Sequence, residues 1–431
     1  VIAKASHSGA RDITIDGTEQ VTLSKEEAYM ERHAQHPWLT AHWAASHHGF
    51  DPAIAVPARP VKLHDLTLRD GEECADLAFN TEDKVRIAEA LARVGIKRTE
   101  VFLTVPGWLE VVRALLSRNL DMDLWVTWQP GRVERALDLG VKHVMVWYRI
   151  GEVFQQHVSK RSREALLEEM LAAVQQARAA GATINLFLPE ATRASLEHIT
   201  TAAQAAEREG ASAVTIVDSQ GVARPAAMAY LVRQMKQVTN LEVEVHCHND
   251  FGLAVANVLS SYEAGADVLQ VSVNGIGYRA GNASMESVIM ALEALYGLDT
   301  GLRLDTLPEL SRLVEEISGL PNGYFKPIVG QGAFRYEQWG ATAALTAGGA
   351  RPYAFPFEPE VIGRSPQLVI GKWSDLGAVV QKLADYGMSA APEQLDRILI
   401  RSQRAGVARH RPLQDEEFLT IAREEGAASC E

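Results

Sequence analysis

The sequence predicts an α/β chain built on a (β/α)8 TIM barrel, with an N-terminal extension and a mostly helical C-terminal subdomain. Three observations lead there. From residue 61, short apolar strand-like runs alternate with helical runs, eight times over about 235 residues. Gly95, Gly140, Gly181, Gly210 and Gly265 each fall shortly before a strand-like run, where a helix must end. A doubly wound open sheet would carry a glycine-rich first turn, and none follows the first strand here.

The expected strands are Val61–Thr67, Arg98–Leu103, Met122–Thr127, His143–Trp147, Thr183–Leu188, Ala213–Val217, Glu242–Cys247 and Val268–Val273. Helices are expected near 82–94, 107–118, 131–139, 163–180, 195–209, 225–238 and 252–264, with another at 283–296. Residues 1–60 read as an extension. Asp12–Val21 has a strand-like or hairpin pattern, and Ser24-Lys-Glu-Glu27 has the spacing of a capping box that starts a helix. Five histidines lie between 33 and 48, but their irregular spacing favours an aromatic-rich segment packed on a neighbouring domain or subunit over a metal site. The barrel domain is expected at 61–300. Residues 301–431 break the rhythm, with helices near 310–317, 375–387 and 392–404 and little periodicity over 341–353.

Composition narrows the function. The chain has 431 residues and a formal net charge of −13, from 42 basic and 55 acidic side chains. That argues against nonspecific binding to nucleic acid or to an anionic membrane. No apolar run approaches the roughly 20 residues of a membrane span, and the first residues lack the apolar core of a secretory signal. Cys74, Cys247 and Cys430 are too few and too scattered for a disulfide framework, so a reducing cytoplasm is expected.

In such a barrel the chemistry sits at the C-terminal ends of the strands. Strand 7 ends Val245-His246-Cys247-His248. Strand side chains alternate faces, so His246 and His248 share one side and Cys247 takes the other. Two imidazoles on one face suit a metal, or else a hydrogen-bonded polar pair where a strand leaves the core. Strand 1 ends in the dense polar run His64-Asp65-Leu-Thr67-Leu-Arg69-Asp70-Gly-Glu72-Glu73. Asp70 can lend a carboxylate oxygen to a metal and Arg69 can stabilise a developing oxyanion, or the two form a salt bridge in a solvated loop. Glu100 in strand 2 is read as pointing inward. Arg149 closes strand 4 and is read as a substrate-binding residue. Asn282, after strand 8, can add an amide oxygen. Asp70, His246, His248 and Asn282 therefore converge from strands 1, 7 and 8, which adjoin once a barrel closes. An O,N,N,O set with open positions suits a divalent ion (Mn²⁺, Mg²⁺ or Zn²⁺, with Fe²⁺ also open) that acts as a Lewis acid on the carbonyl of a 2-oxo acid.

Three runs carry a resemblance: Thr67-Leu-Arg-Asp-Gly-Glu72, His246-Cys-His-Asn-Asp-Phe-Gly-Leu-Ala-Val-Ala-Asn257 and Asn274-Gly-Ile-Gly-Tyr-Arg-Ala-Gly-Asn282. In this order they resemble the DRE-TIM metallolyase superfamily. The closest likeness is to 2-isopropylmalate and homocitrate synthases, with hydroxymethylglutaryl-CoA lyase more distant. The resemblance implies that Asp70, His246 and His248 are metal ligands with Asn282 beside them, and that Arg69 is the catalytic arginine. It also implies that Glu100 is a glutamate of the active site. Ser219 stands where the synthases carry a threonine that holds the oxo acid's carboxylate. It further implies a homodimer.

The chain departs from that pattern in several places. Tyr278 replaces a glutamate and Glu73 a glutamine. Tyr336-Glu-Gln-Trp-Gly-Ala341 stands where the synthases carry a segment with two histidines. Trp108, Trp125, Trp128 and Trp147 place bulk near the strand ends. No leucine-sensing regulatory domain, as many isopropylmalate synthases carry, is expected. The expected activity is a Claisen-type condensation of an acyl-CoA with a 2-oxo acid. The alternative is the cleaving direction on a hydroxy acid, with Tyr278 or Tyr336 as proton donor. Intact Arg69, Asp70, His246 and His248 argue against a barrel that only binds.

Overall fold

A computed structural model of the chain describes residues 37–56 and 59–430. The expected hairpin at 12–21, the helix begun by Ser24–Glu27, and His33 and His36 lie outside them. Eight parallel strands close into a barrel in chain order. They are β1 (Lys62–Asp65), β2 (Arg98–Val101), β3 (Asp123–Thr127), β4 (His143–Trp147), β5 (Thr183–Leu188), β6 (Ala213–Asp218), β7 (Glu242–Cys247) and β8 (Val268–Val271). The ring closes where β1 pairs with β8, with Lys62 opposite Val268 and Asp65 opposite Val271.

Helices follow the strands as α1 (Thr81–Val94), α2 (Trp108–Ser117), α3 (Val133–Asp138), α4 (Arg163–Ala179), α5 (Leu196–Glu209), α6 (Pro225–Val238), α7 (Ala254–Glu263) and α8 (Met285–Tyr296). Their ends obey local chemistry. A reciprocal capping box between Asn80 and Asp83 opens α1, and Gly95 closes it in the left-handed region at φ 104°. Ser195 caps α5 and Pro225 occupies the first turn of α6.

The barrel's compact unit runs past residue 300. The next helix, α9 (Leu307–Ser318), packs on α1 and on the turn after β8, and residues through Gly330 belong to the barrel's compact unit. Residues 37–55 form a second compact unit with 331–430. In that unit the Glu358 backbone N–H donates to the His42 carbonyl (2.7 Å), and Trp38 lies against the rings of His47 and Phe50. The segment expected to have little periodicity holds the helix α10 (Gly340–Ala347), none of whose residues is buried. The helices α11 (Leu376–Asp385) and α12 (Pro392–Arg409) match expectation, and α13 (Asp415–Glu424) is additional. The apolar core of this unit gathers Ile370, Val379, Leu383, Ile398, Phe418 and Ala422.

Inside the barrel, two kinds of side chain meet. Trp125, Met145, Phe187 and Val217 form a buried apolar cluster with Trp147 against it. Trp125 therefore lies within the barrel rather than at a strand end, and Trp108 begins α2. The other kind is a polar column. His64 Nδ1 is 3.3 Å from Glu244 Oε2 and its Nε2 is 3.7 Å from Glu100 Oε2. Glu244 also accepts from Gln270 (2.8 Å) and from Arg98 (2.9 Å). Arg98 and Lys62 then reach Glu242. The burial of Trp125 predicts that Trp125→Ala destabilises the barrel by about 3–5 kcal/mol, read as a lower denaturant midpoint.

Candidate metal centre and active site

Asp70, His246 and His248 converge at the C-terminal mouth of the barrel, their ligand atoms all within 4.8 Å of one another. His246 lies one residue before the end of β7 and is buried. His248 follows two residues later on the same face and is held by an isolated antiparallel bridge to Asn282. The two imidazole Nε2 atoms face each other at 3.1 Å, and Asp70 Oδ2 lies 3.6 and 3.7 Å from them. His248 Nδ1 sits 3.3 Å from the Gly281 carbonyl. A carbonyl only accepts, so Nδ1 carries the proton and Nε2 turns its lone pair to the centre.

Asn282 completes the set. Its Nδ2 donates to Asp70 Oδ1 (2.7 Å) and to the Ile276 carbonyl (3.1 Å), while its Oδ1 is buried with no hydrogen-bond partner among the described residues. An orphaned amide oxygen beside a carboxylate and two imidazole lone pairs is costly in a closed site without a cation. These donors fit a divalent ion with mixed oxygen and nitrogen ligands. The loop that carries Asn282 turns on Asn274, which sits in the left-handed region at φ 58°. Asn274 is pinned by Glu286, Ser311 and Lys326: its N–H donates to Glu286 Oε1, Ser311 Oγ donates to its Oδ1, and Lys326 Nζ donates to its carbonyl.

Arg69 enters from the loop after β1 and is almost wholly buried. Its Nε donates to Glu100, and its Nη1 donates to Asp70 Oδ2 (2.9 Å) and Glu73 Oε1 (3.2 Å). Its Nη2 is buried with no partner among the described residues. The rings of Phe102, Trp147 and Phe187 surround the guanidinium at 5.3–5.6 Å. Charge follows geometry. Burial alone would raise Asp70, but Arg69 and the two imidazoles hold its carboxyl well below the usual range. Burial outweighs Arg69 at Glu100 and raises it. Burial, and then His248, push His246 well below an ordinary imidazole, and burial lowers His248.

The remaining expected residues surround this centre less directly. Ser219 Oγ accepts the Glu190 backbone N–H (2.8 Å), which leaves its own O–H to donate elsewhere. Tyr278 meets the centre through its backbone, whose N–H donates to Asp70 Oδ1 (3.2 Å), while the residue is 47% exposed and its ring lies beneath the Arg279 guanidinium. Arg149 is exposed and lies over the rings of Trp147 and Phe154; it makes no contact with Asp70, His246 or His248. Tyr336 packs edge-on against Trp339 and Phe355 within its own unit.

Reading by motif missed the aromatic rings around Arg69 and the His64–Glu244 column. A period-two count along β1 and β7 would have placed His64 inward, and Glu244 on the same face as His246.

A barrel mouth that gathers a carboxylate, two imidazoles and a buried arginine defines a metal-dependent enzyme. The chain is a member of the HMGL-like family, whose family model matches residues 60–314. A homocitrate synthase of Methanopyrus kandleri is 37% identical over 355 residues, covering 81% of this chain and 89% of that protein. A 2-isopropylmalate synthase of Caldanaerobacter subterraneus is 32% identical over 370 residues, covering 84% and 95%. Among solved structures, the HMG-CoA lyase of Bacillus subtilis shares the fold, with a TM-score of 0.57 and 22% identity over 62% of this chain and 96% of that one.

Two predictions follow from this geometry. A Cβ at Gly277 would overlap the Asn282 amide and lie 2.6 Å from Asp70 Oδ1. Gly277→Ala should weaken divalent-ion binding by about 10–100-fold in a calorimetric titration while the far-ultraviolet circular dichroism stays unchanged. The second concerns pH. Imidazoles lowered on folding bind fewer protons than in the unfolded chain, so their stabilisation is full above about pH 6.5 and is lost as pH falls below it. In the metal-free protein the urea midpoint should fall below pH 6.5, and less steeply in His246→Phe.

Proposed function

We propose that the chain condenses the acyl group of an acyl-CoA with a 2-oxo acid in a Claisen reaction. The observation that carries this reading is Arg69 Nη2, a buried cationic donor with no partner among the described residues, beside the Asp70–His246–His248 set. The acyl group loses a proton from its α-carbon, the resulting enolate carbon bonds to the ketone carbon, the ketone oxygen becomes an alkoxide that then takes up a proton, and water cleaves the thioester to release CoA; a preorganised donor aimed at that oxygen is what the bond-forming step needs.

Asp70, His246, His248 and Asn282 would hold a divalent ion, Mn²⁺, Mg²⁺ or Zn²⁺. When bound, the ion polarises the oxo acid's carbonyl. The protein's own groups do the rest. Glu100 and Glu73 hold Arg69 from two sides, so Nη2 keeps one direction. Ser219 Oγ, already an acceptor for Glu190, offers its proton to the oxo acid's carboxylate. Phe102, Trp147 and Phe187 keep water from the guanidinium, which strengthens its pull on a developing oxyanion. Tyr278 is placed to exchange a proton with solvent at the edge of the centre. Arg149 has no ion pair among the described residues and offers its charge to an anionic part of a substrate at the rim.

The relatives' names support the condensing direction, since those proteins are named as synthases. The reverse cleavage of a hydroxy acid uses the same centre. The chain is read as a homodimer of a reducing compartment, the cytoplasm. Its three cysteines are unpaired, and no helix among the described residues is long and apolar enough to cross a membrane.

The test is release of free CoA from acetyl-CoA with a panel of 2-oxo acids and a divalent ion. Turnover with at least one acceptor is expected, and no thiol with any acceptor sinks the acetyl-CoA version. Arg69→Ala should lower kcat by about 10²–10³-fold while the ion stays bound. Retained activity would refute the role given to Arg69.

A further inference from the structure

Barrels of this kind are filled mostly by branched apolar side chains. Here only one side of the interior is apolar. Trp125, Met145, Phe187 and Val217 fill it from β3 to β6, whereas β1, β2, β7 and β8 contribute His64, Glu100, Glu244 and Gln270, all buried. The charges on that side alternate in sign. Asp70 meets Arg69, Arg69 meets Glu100, and Glu100 faces His64. His64 then meets Glu244, Glu244 meets Arg98, and Arg98 meets Glu242. The column thus runs from the barrel mouth to the first residues of β2 and β7. Packed apolar residues in place of buried ion pairs are often as stable or more so, so stability does not account for the column.

His64 is its middle member. Nδ1 lies 3.3 Å from Glu244 Oε2, and the Trp125 ring packs against the imidazole with centroids 5.7 Å apart. Glu244 is held in turn by Gln270 and Arg98. The other nitrogen, Nε2, faces Glu100 Oε2 at 3.7 Å, and each of these two buried atoms has no hydrogen-bond partner among the described residues. What Glu100 holds gives this pair its importance. Of the three carboxylates on Arg69, Asp70 is a candidate metal ligand and the Glu73 side chain is 34% exposed. Glu100 is fully buried and takes Nε, the nitrogen that sets the plane of the guanidinium. A carboxylate holds a plane in one orientation only when its own second oxygen is held too.

We infer that His64 is a positioning residue for the reaction: through Nε2 it fixes Glu100 Oε2, and through Glu100 it fixes the direction of Arg69 Nη2. The inference rests on the acyl-transfer reading for the reaction that His64 serves.

Three substitutions separate the two sides of the ring. The amide of glutamine reaches the place of an imidazole Nε2, and that of asparagine the place of Nδ1. His64→Gln therefore keeps a donor toward Glu100, His64→Asn keeps one toward Glu244, and His64→Phe keeps only an aromatic ring. Each variant is assayed for CoA release from acetyl-CoA with Mn²⁺ and the best acceptor of the 2-oxo acid panel, titrated with Mn²⁺ by calorimetry, and crystallised. His64→Phe and His64→Asn should lower kcat by about 10–100-fold, with KM for the oxo acid and Mn²⁺ affinity unchanged and the Arg69 guanidinium turned out of its place. His64→Gln should stay within about fivefold of the unchanged chain, with Arg69 in place. A kcat that survives His64→Phe overturns the inference, and so does an asparagine variant as active as the glutamine one. If His64→Phe does not fold, the glutamine and asparagine variants decide alone. If the unchanged chain releases no CoA with any acceptor, the acetyl-CoA version of the proposed function fails, and the crystal structures decide the positioning. Arg69 displaced in the asparagine variant and in place in the glutamine variant upholds it; Arg69 in the same place in both overturns it.

Discussion

Everything at the mouth of this barrel depends on one buried guanidinium. Arg69 is almost wholly removed from water and meets Asp70, Glu73 and Glu100. Burying that many charges carries a desolvation cost that the pairings only partly offset. The arrangement is therefore poor as a stabilising device and good as a positioning one. Each carboxylate claims a defined nitrogen, and Nη2 is left with no partner among the described residues. The same ion pairs hold Asp70 ionised, as a metal ligand must be. The Asp70 carboxylate and the Arg69 guanidinium are thus two ends of one network.

Around that network the backbone works by close approach. Gly277 passes where a side chain would overlap Asn282, and Gly281 presents its carbonyl to His248. Asn274 sets the loop's direction through a left-handed conformation whose strain is offset by hydrogen bonds to Glu286, Ser311 and Lys326. Ser311 lies on α9 and Lys326 beyond it, which is why the barrel unit extends past its eighth helix. Those residues complete the loop that brings the fourth candidate ligand into place.

Most of this was legible in the sequence. Strands buried on both faces and helices with one apolar face leave different periodicities, and glycines in left-handed caps mark the joints. The convergence of Asp70, His246, His248 and Asn282 was readable because such donors recur at the ends of barrel strands. What escaped lacked such a signature. α10 is rich in alanine and glycine and buries none of its residues, so no periodic face existed to be read. Phe102 and Phe187 look like ordinary core residues in their strands, and Trp147 reads as bulk at a strand end. Only the closed barrel reveals that all three surround Arg69. Tyr278 looked catalytic from its position in a motif, yet its firm contact with the centre is through its backbone.

The pairing of β1 with β8 has a consequence for how this chain comes to life. The candidate ligands sit on the loop after the first strand, on the seventh, and after the eighth. They are the two ends of the barrel sequence, brought together only at the closing seam. A nascent or partly folded chain that lacks its last strand can present histidines and a carboxylate, but not a site. Those donors come within reach of one another only once the seam between β1 and β8 has closed.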